Sequence, residues 1–210
     1  MVKRLADIAG ALAVLLVSGP LWLAIAGLIK LHDGGPVLYK GRRIGRNGIP
    51  FGMAKFRTMV VNADRVGGPS AASDDPRITP IGRWLRKYKL DELPQFINVL
   101  RGEMSLVGPR PEVQQYVDLF TEEERAILRV RPGITDWATL WNSDEGALLA
   151  GSPDPERTYL EEIRPHKVRL QLAYVRDQSL ATDFRILVQT LAAIIFRRPA
   201  PATVRHPQER

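Results

Sequence analysis

The sequence predicts an α+β fold, mainly α, in which an N-terminal membrane segment precedes a small β-hairpin and a set of amphipathic helices around one compact domain. Three observations carry this. Leu5–Ile29 is apolar apart from Asp7, Gly45-Arg46-Asn47-Gly48 separates two short β-prone runs, and three later stretches repeat apolar residues at helical spacing. A length of 210 residues fits one domain with an appendage rather than two full domains.

At about 1.5 Å per residue, Leu5–Ile29 reaches roughly 37 Å, enough for a hydrocarbon core of about 30 Å. Ser18-Gly19-Pro20 lies in its middle, where proline removes a backbone donor and clashes with the preceding turn, so a kink or break is expected there. Lys3 and Arg4 precede the segment, and Lys30, Lys40, Arg42, Arg43 and Arg46 follow it. Basic residues on both sides conflict with a straight crossing, and a helix that enters, breaks and returns to the same face removes the conflict. A kinked span remains open on these residues, as does a signal peptide cleaved near Ala24-Ile25-Ala26, whose apolar region would be unusually long.

Val37–Lys40 and Ile49–Phe56 then form the hairpin around the Asn-Gly turn. Residues 62–80, rich in Gly, Ser, Asp and Pro, read as a long functional loop. Arg83–Lys89 gives a basic helical turn or two, and Leu90-Asp91-Glu92-Leu93-Pro94-Gln95 opens a helix running to about Leu100. Glu112–Leu128, Arg157–Val175 and Thr182–Phe196 are helical by apolar spacing. The last suits either a core or a membrane interface, where Arg185, Arg197 and Arg198 would meet lipid phosphates. Domain organisation follows: 1–33 membrane segment, 34–198 one folded domain, 199–210 a disordered tail.

Composition limits the chemistry. The absence of cysteine excludes disulfide scaffolds, thiolate zinc sites and cysteine nucleophiles. A net charge of +7 points to a polyanionic partner. Nucleic acid fits poorly, because aromatics make up only 7% and the basic residues are dispersed. His32, His166 and His206 lie far apart in unlike contexts, which suggests neither a metal site nor a triad. No Gly-rich nucleotide loop of the common types is present.

Short polar words set in apolar context remain. The adjacent carboxylates Asp91 and Glu92 have a plain explanation as helix cap and first-turn acid. The same pair is sufficient for Mg²⁺, which takes one or two carboxylates together with substrate phosphates. Lys55, Arg86, Arg110 and Arg131 offer the cations a pyrophosphate needs.

These words in order are Lys55–Met59 (KFRTM), Asp75–Thr79 (DPRIT), Leu90–Gln95 (LDELPQ) with Phe96–Arg101 (FINVLR), Met104–Glu112 (MSLVGPRPE) and Val130–Thr135 (VRPGIT). The chain resembles the bacterial sugar transferase family, monotopic phosphoglycosyl transferases of the small single-domain type, over nearly its whole length. The resemblance implies a re-entrant membrane helix broken at Ser18 and Pro20, here separated by Gly19, amphipathic interfacial helices, and a catalytic domain on the cytoplasmic face of the bacterial inner membrane. It implies Asp91 as nucleophile, Glu92 as the ligand that helps hold Mg²⁺, and phosphate and nucleotide contacts from Lys55, Arg86, Arg110 and Arg131. The implied reaction transfers a phosphosugar from a UDP-sugar to polyprenyl phosphate, with undecaprenyl phosphate as the expected carrier. It releases UMP and passes through an aspartyl-phosphosugar, as the first membrane step of glycan assembly. Implied partners are these substrates and membrane lipids, not nucleic acid, and a homodimer is compatible with the resemblance. Asp91 as general base for direct attack by the lipid phosphate is an alternative within the chemistry, and a non-catalytic scaffold on anionic lipid is one outside it.

The sequence departs from the family pattern after Thr135. Asp136-Trp137 stands where Gly-Trp or Gly-Leu-Trp is common, Asn142–Gly146 and Gly151–Glu156 are unlike the usual words, and Gln171 occupies a commonly acidic position. These changes bear on substrate choice.

Overall fold

In a computed structural model, residues 1–67, 71–142 and 144–196 are described. The tail expected over 199–210 lies outside them, as do Arg197 and Arg198. Helix α1 is one 32-residue helix, Val2–Asp33, with Pro20 inside it. The interruption expected at Ser18–Pro20 does not end the helix. Proline in a helix interior removes one i→i−4 bond, here the one to the Leu16 carbonyl, and the Ser18 hydroxyl donates to the Val14 carbonyl at 2.6 Å in the turn before it.

Burial on α1 falls into two patches, Asp7 with Ala11 and Ile25 with Ile29, each pair four residues apart on one helix face. No residue between Leu12 and Ala24 is buried. Ala11 packs in a cluster with Met53, Val99 and Met104, and Ile25 and Ile29 pack with Phe56 and Leu85. Polar latches fix both ends. Lys3 pairs with Asp183, Arg4 donates to the carbonyls of Val99 and Leu100 at 2.6 and 3.0 Å, and Asp7 accepts from Ser105 Oγ and Leu106 N. At the other end Asp33 is forked by Arg57, whose Nε also donates to the Pro36 carbonyl at 2.6 Å.

Strands β1 (Leu38–Ile44) and β2 (Pro50–Phe56) pair antiparallel from Leu38↔Phe56 to Ile44↔Pro50. Their turn, Arg46–Gly48, has Asn47 and Gly48 at φ 58° and 76°, the left-handed region that an Asn-Gly pair tolerates. The hairpin is as expected, with β1 longer than its sequence signal.

Helix α2 (Pro80–Lys87) follows, capped by Thr79, whose hydroxyl accepts from Gly82 N. The helix expected from Leu90 to Leu100 is two pieces: a 3-10 turn at Leu90–Glu92, then α3 (Gln95–Arg101) starting after Pro94. A second sheet, unexpected from sequence, pairs β3 (Ser105–Val107) in parallel with β4 (Gly133–Thr135). Three-residue strands carry too little alternation to be read. Gly108 and Gly133 are required beside this sheet, since a Cβ on Gly133 would stand 2.1 Å from Gly108 N.

The helix expected over Glu112–Leu128 is instead α4 (Gln114–Val117) and a 3-10 segment, Glu124–Arg129. Thr121 and Glu124 cap each other reciprocally, and this box starts a new segment inside the apolar period. Short helices α5 (Trp137–Trp141), α6 (Glu145–Leu149) and α7 (Pro155–Thr158) lead through a π turn at Tyr159–Ile163 into α8 (Arg164–Arg176). The last helix, α9 (Leu180–Phe196), buries Asp183 and Ile186 but exposes Phe184, Leu191, Ile194 and Ile195. Its buried face joins Val107, Trp137, Leu140, Leu170 and Tyr174 in one core cluster.

Candidate active site

Four segments bring the sequence-selected residues together. Lys55 sits near the end of β2, directly opposite Tyr39. Asn98 of α3, fully buried, holds that strand: its Oδ1 accepts from Ala54 N at 2.9 Å and its Nδ2 donates to the Gly52 carbonyl at 2.8 Å. An asparagine inside the apolar word FINVLR was the available signal for this role.

Lys89, in the left-handed region at φ 56°, turns the chain between α2 and the 3-10 turn. A non-glycine residue held there costs on the order of 1 kcal/mol and persists only where its surroundings fix it. Asp91 emerges from this turn 5% exposed. It caps no helix, and neither oxygen accepts a hydrogen bond from a described residue, which sets aside the capping explanation. Lys55 Nζ is 3.7 Å from Asp91 Oδ2 and 3.0 Å from Glu92 Oε1.

Glu92 is closely held. Arg110 donates from NH1 to Oε2 at 3.1 Å and from NH2 to Oε1, a fork that Lys55 completes on Oε1. Burial alone would raise the Glu92 carboxyl, but the charges of Arg110 and Lys55 outweigh it and hold Glu92 well below the usual carboxylate range. Burial likewise opposes the Arg110 charge, and Glu92 reverses this, holding the guanidinium above its ordinary value.

Arg86 approaches from α2. Gly82 lets that helix close on the end of the hairpin, because a Cβ there would lie 1.9 Å from the Thr58 carbonyl oxygen. One turn on, Arg86 Nε donates to Thr58 Oγ1 at 3.0 Å. Burial lowers the Arg86 pKa, with Asp91 the strongest charge opposing it. Its terminal amino groups have no hydrogen-bond partner among the described residues.

Arg131 is not brought to this cluster. Its Nε donates to the Gly102 carbonyl at 2.9 Å, at the far end of α3 from Glu92. Ser18 and Pro20 are likewise remote, on α1. Two residues that the sequence marked only as departures do reach the site: Asp136 Oδ2 accepts from Arg110 N at 3.2 Å, and Gln171 Nε2 donates to the Arg110 carbonyl at 3.2 Å.

Among the described residues no group of three His, Cys, Asp or Glu is disposed to hold a metal. The donor set still suits a hard cation that completes its shell with phosphate and water. Asp91 has both oxygens open, and Glu92 Oε2 takes a single donor.

The arrangement is a buried carboxylate that accepts no hydrogen bond from a described residue and lies within ion-pair reach of Lys55, set beside a second carboxylate neutralised by two cations, with the Arg86 charge acting on it from α2. The cations give such a site the charge to receive an anion, and the open carboxylate oxygens are chemically capable of nucleophilic attack. The profile of the family described as bacterial sugar transferase matches residues 1–197. The exopolysaccharide production protein ExoY of Sinorhizobium fredii is 38% identical, covering 93% of this chain and 86% of its own. The uncharacterized sugar transferase EpsL of Bacillus subtilis is 41% identical over 93% of this chain and 88% of its own. The UDP-glucose:undecaprenyl-phosphate glucose-1-phosphate transferase of Escherichia coli is 38% identical over 91% of this chain but only 39% of its own, so this chain spans less than half of that longer relative. On the profile match, these identities and a site built from the family's words, the chain belongs to the bacterial sugar transferase family.

Proposed function

We propose that the protein transfers a phosphosugar from a UDP-sugar to a polyprenyl phosphate, with undecaprenyl phosphate as carrier, through a covalent adduct on Asp91. The observation that carries this reading is the buried Asp91 carboxylate, free of hydrogen bonds from described residues, beside a Glu92 already matched by Lys55 and Arg110. One Asp91 oxygen attacks the sugar-bearing phosphorus. The bond from that phosphorus to the bridging oxygen breaks, and UMP leaves with the electron pair. An oxygen of the polyprenyl phosphate then attacks the same phosphorus, the aspartyl O–P bond breaks, and the carboxylate is regenerated with polyprenyl-diphosphate-sugar as product. No proton need move in either displacement.

Lys55 and Arg86 bring positive charge to the Asp91 side, where phosphate charge redistributes, and Arg110 keeps Glu92 fixed. Asp91 and Glu92 would hold Mg²⁺, which when bound would neutralise phosphate charge and help UMP depart. Relatives named as undecaprenyl-phosphate transferases of glucose phosphate and N-acetylgalactosamine phosphate support the carrier and leave the sugar open.

The same reading has α1 enter and leave the inner membrane by its cytoplasmic face. Both ends of α1 are latched to the catalytic domain, and the middle of the helix is unburied. Ala11 and Ile25 would stand about 21 Å apart on a straight helix. They pack in separate clusters of the domain, Ala11 with Met53, Val99 and Met104 and Ile25 with Phe56 and Leu85, so the domain holds the helix near both ends.

Incorporation of labelled UMP into UDP-sugar without lipid tests the adduct, with UDP-glucose, UDP-galactose and UDP-N-acetylgalactosamine as probes. The account expects exchange with at least one of them. Lipid-dependent turnover without any exchange would instead favour direct attack by the lipid phosphate, with Asp91 as base.

A further inference from the structure

We propose that Asp136 and Gln171 are positioning residues for this transfer: their buried side chains grip the main chain of Arg110 from both sides and so set the fork it makes on Glu92. The inference rests on the function proposed above and adds two residues to it.

Arg110 lies between Pro109 and Pro111, just past the end of β3. The backbone bonding of the second sheet reaches this point and stops, with Val107 paired to Thr135, Gly108 N donating to the Thr135 carbonyl and the Pro109 carbonyl accepting from Gly133 N, both at 3.0 Å. Proline has no N–H, so the Arg110 amide is the one donor available in the Pro109–Pro111 segment. Asp136, next after the last residue of β4, supplies its acceptor at 3.2 Å, so a side chain extends the ladder by one rung. On the other side Gln171 Nε2 reaches in from α8 to the Arg110 carbonyl at 3.2 Å and lies 3.4 Å from Asp136 Oδ2.

Both side chains are fixed. Asp136 is 0% exposed, and its Oδ1 caps α5 through Thr139 N and Thr139 Oγ1 at 2.7 and 2.8 Å. Gln171 is 1% exposed, and its Oε1 has no hydrogen-bond partner among the described residues. A buried acceptor left unmatched is unfavourable, so the amide stands there for its donor end. An acid at 171 would lose that donor and set a second carboxylate against Asp136. An acid at 136 and an amide at 171 are therefore a matched choice, and the two departures seen separately in the sequence are one contact.

Functionally, the clamp acts through Arg110. A displacement of roughly 1 Å in a supporting element can cost on the order of 10²-fold in rate, and past the Pro109 carbonyl, which accepts from Gly133 N at 3.0 Å, the N–H and carbonyl of Arg110 itself are held by these two side chains. Gln171→Glu is the direct test, in wild-type and Arg110→Lys backgrounds, with kcat and KM read from UMP release. In the wild-type background kcat should fall roughly 10- to 100-fold with KM little changed. With Arg110→Lys already present the same substitution should cost less than about 3-fold, because coupled residues are non-additive. Equal losses in both backgrounds would overturn the inference and leave Gln171 a packing residue. Gln171→Met, which removes the donor without adding charge, should show the same non-additivity at smaller amplitude and serves where Gln171→Glu does not fold. If wild-type protein turns over no UDP-sugar, the proposed function fails. The clamp is then decided by thermal unfolding in detergent: the midpoint drop caused by Glu92→Gln should shrink in the Gln171→Met background, and an unchanged drop would contradict it.

Discussion

Two buried ion clusters stand on either side of Pro111, and they differ in a way that separates chemistry from architecture. Around Arg110 the partners are Glu92 and Lys55, with Asp91 beside them unengaged by hydrogen bonds. Around Glu112 the partners are Lys167 at 2.7 Å and the Tyr159 hydroxyl at 3.0 Å, and Lys167 also pairs with Glu145 at 3.0 Å. In the second cluster burial would raise Glu112 and lower Lys167, yet each is moved the opposite way by the other's charge. Every charge there is answered from within the protein. A buried ion pair alone therefore does not mark a site; an additional carboxylate left with open acceptors does.

The sharpest break in the comparison comes from the two carboxylate sides themselves. Asp91→Asn should abolish UMP exchange and net transfer, by roughly 10⁴-fold or more as for loss of other covalent nucleophiles, while the unfolding midpoint stays near wild type. Lys167→Met should do the reverse. It leaves Glu112 buried without its cation and should destabilise the fold by about 3–5 kcal/mol, read as a loss in thermal midpoint, with kcat per folded molecule retained. Arg110→Lys keeps the charge but not the fork, and should lower kcat roughly 10²- to 10³-fold.

The smallest effect is a pH dependence. Glu112 and Glu92 have carboxyls depressed below their ordinary value of 4.5, so their contribution to stability is complete above that value and is lost as pH falls through their lower folded values. The midpoint should therefore decline below about pH 4.5. Lys167→Met should flatten the Glu112 part of that decline.

Much of this was legible in the sequence because the words are local. The Asn-Gly hairpin and α9 each depend on residues close together in the chain. The β3–β4 pair was not legible: it joins two three-residue runs 28 positions apart at Ser105↔Gly133, and Gly108 and Gly133 signal a close approach only once both are seen together. The apolar period of Glu112–Leu128 suggested one helix and missed the capping box at Thr121 and Glu124. Lys55, Arg86 and Arg110, singled out by charge type, lie around Asp91 and Glu92. Arg131, chosen by the same reasoning, holds the Gly102 carbonyl instead. Asp136 and Gln171 were visible only as departures, because their contact runs through the main chain of Arg110 and leaves no spacing in the sequence.

The central claim is that Asp91 carries the phosphosugar. Intact-mass and peptide mapping of acid-quenched protein, after incubation with Mg²⁺ and an accepted UDP-sugar but no lipid, tests it most directly. The account predicts a sugar-phosphate mass increment on the peptide containing Asp91, absent from Asp91→Asn and discharged when polyprenyl phosphate is added. Full turnover with no increment on that peptide, or an increment that persists in Asp91→Asn, would contradict it.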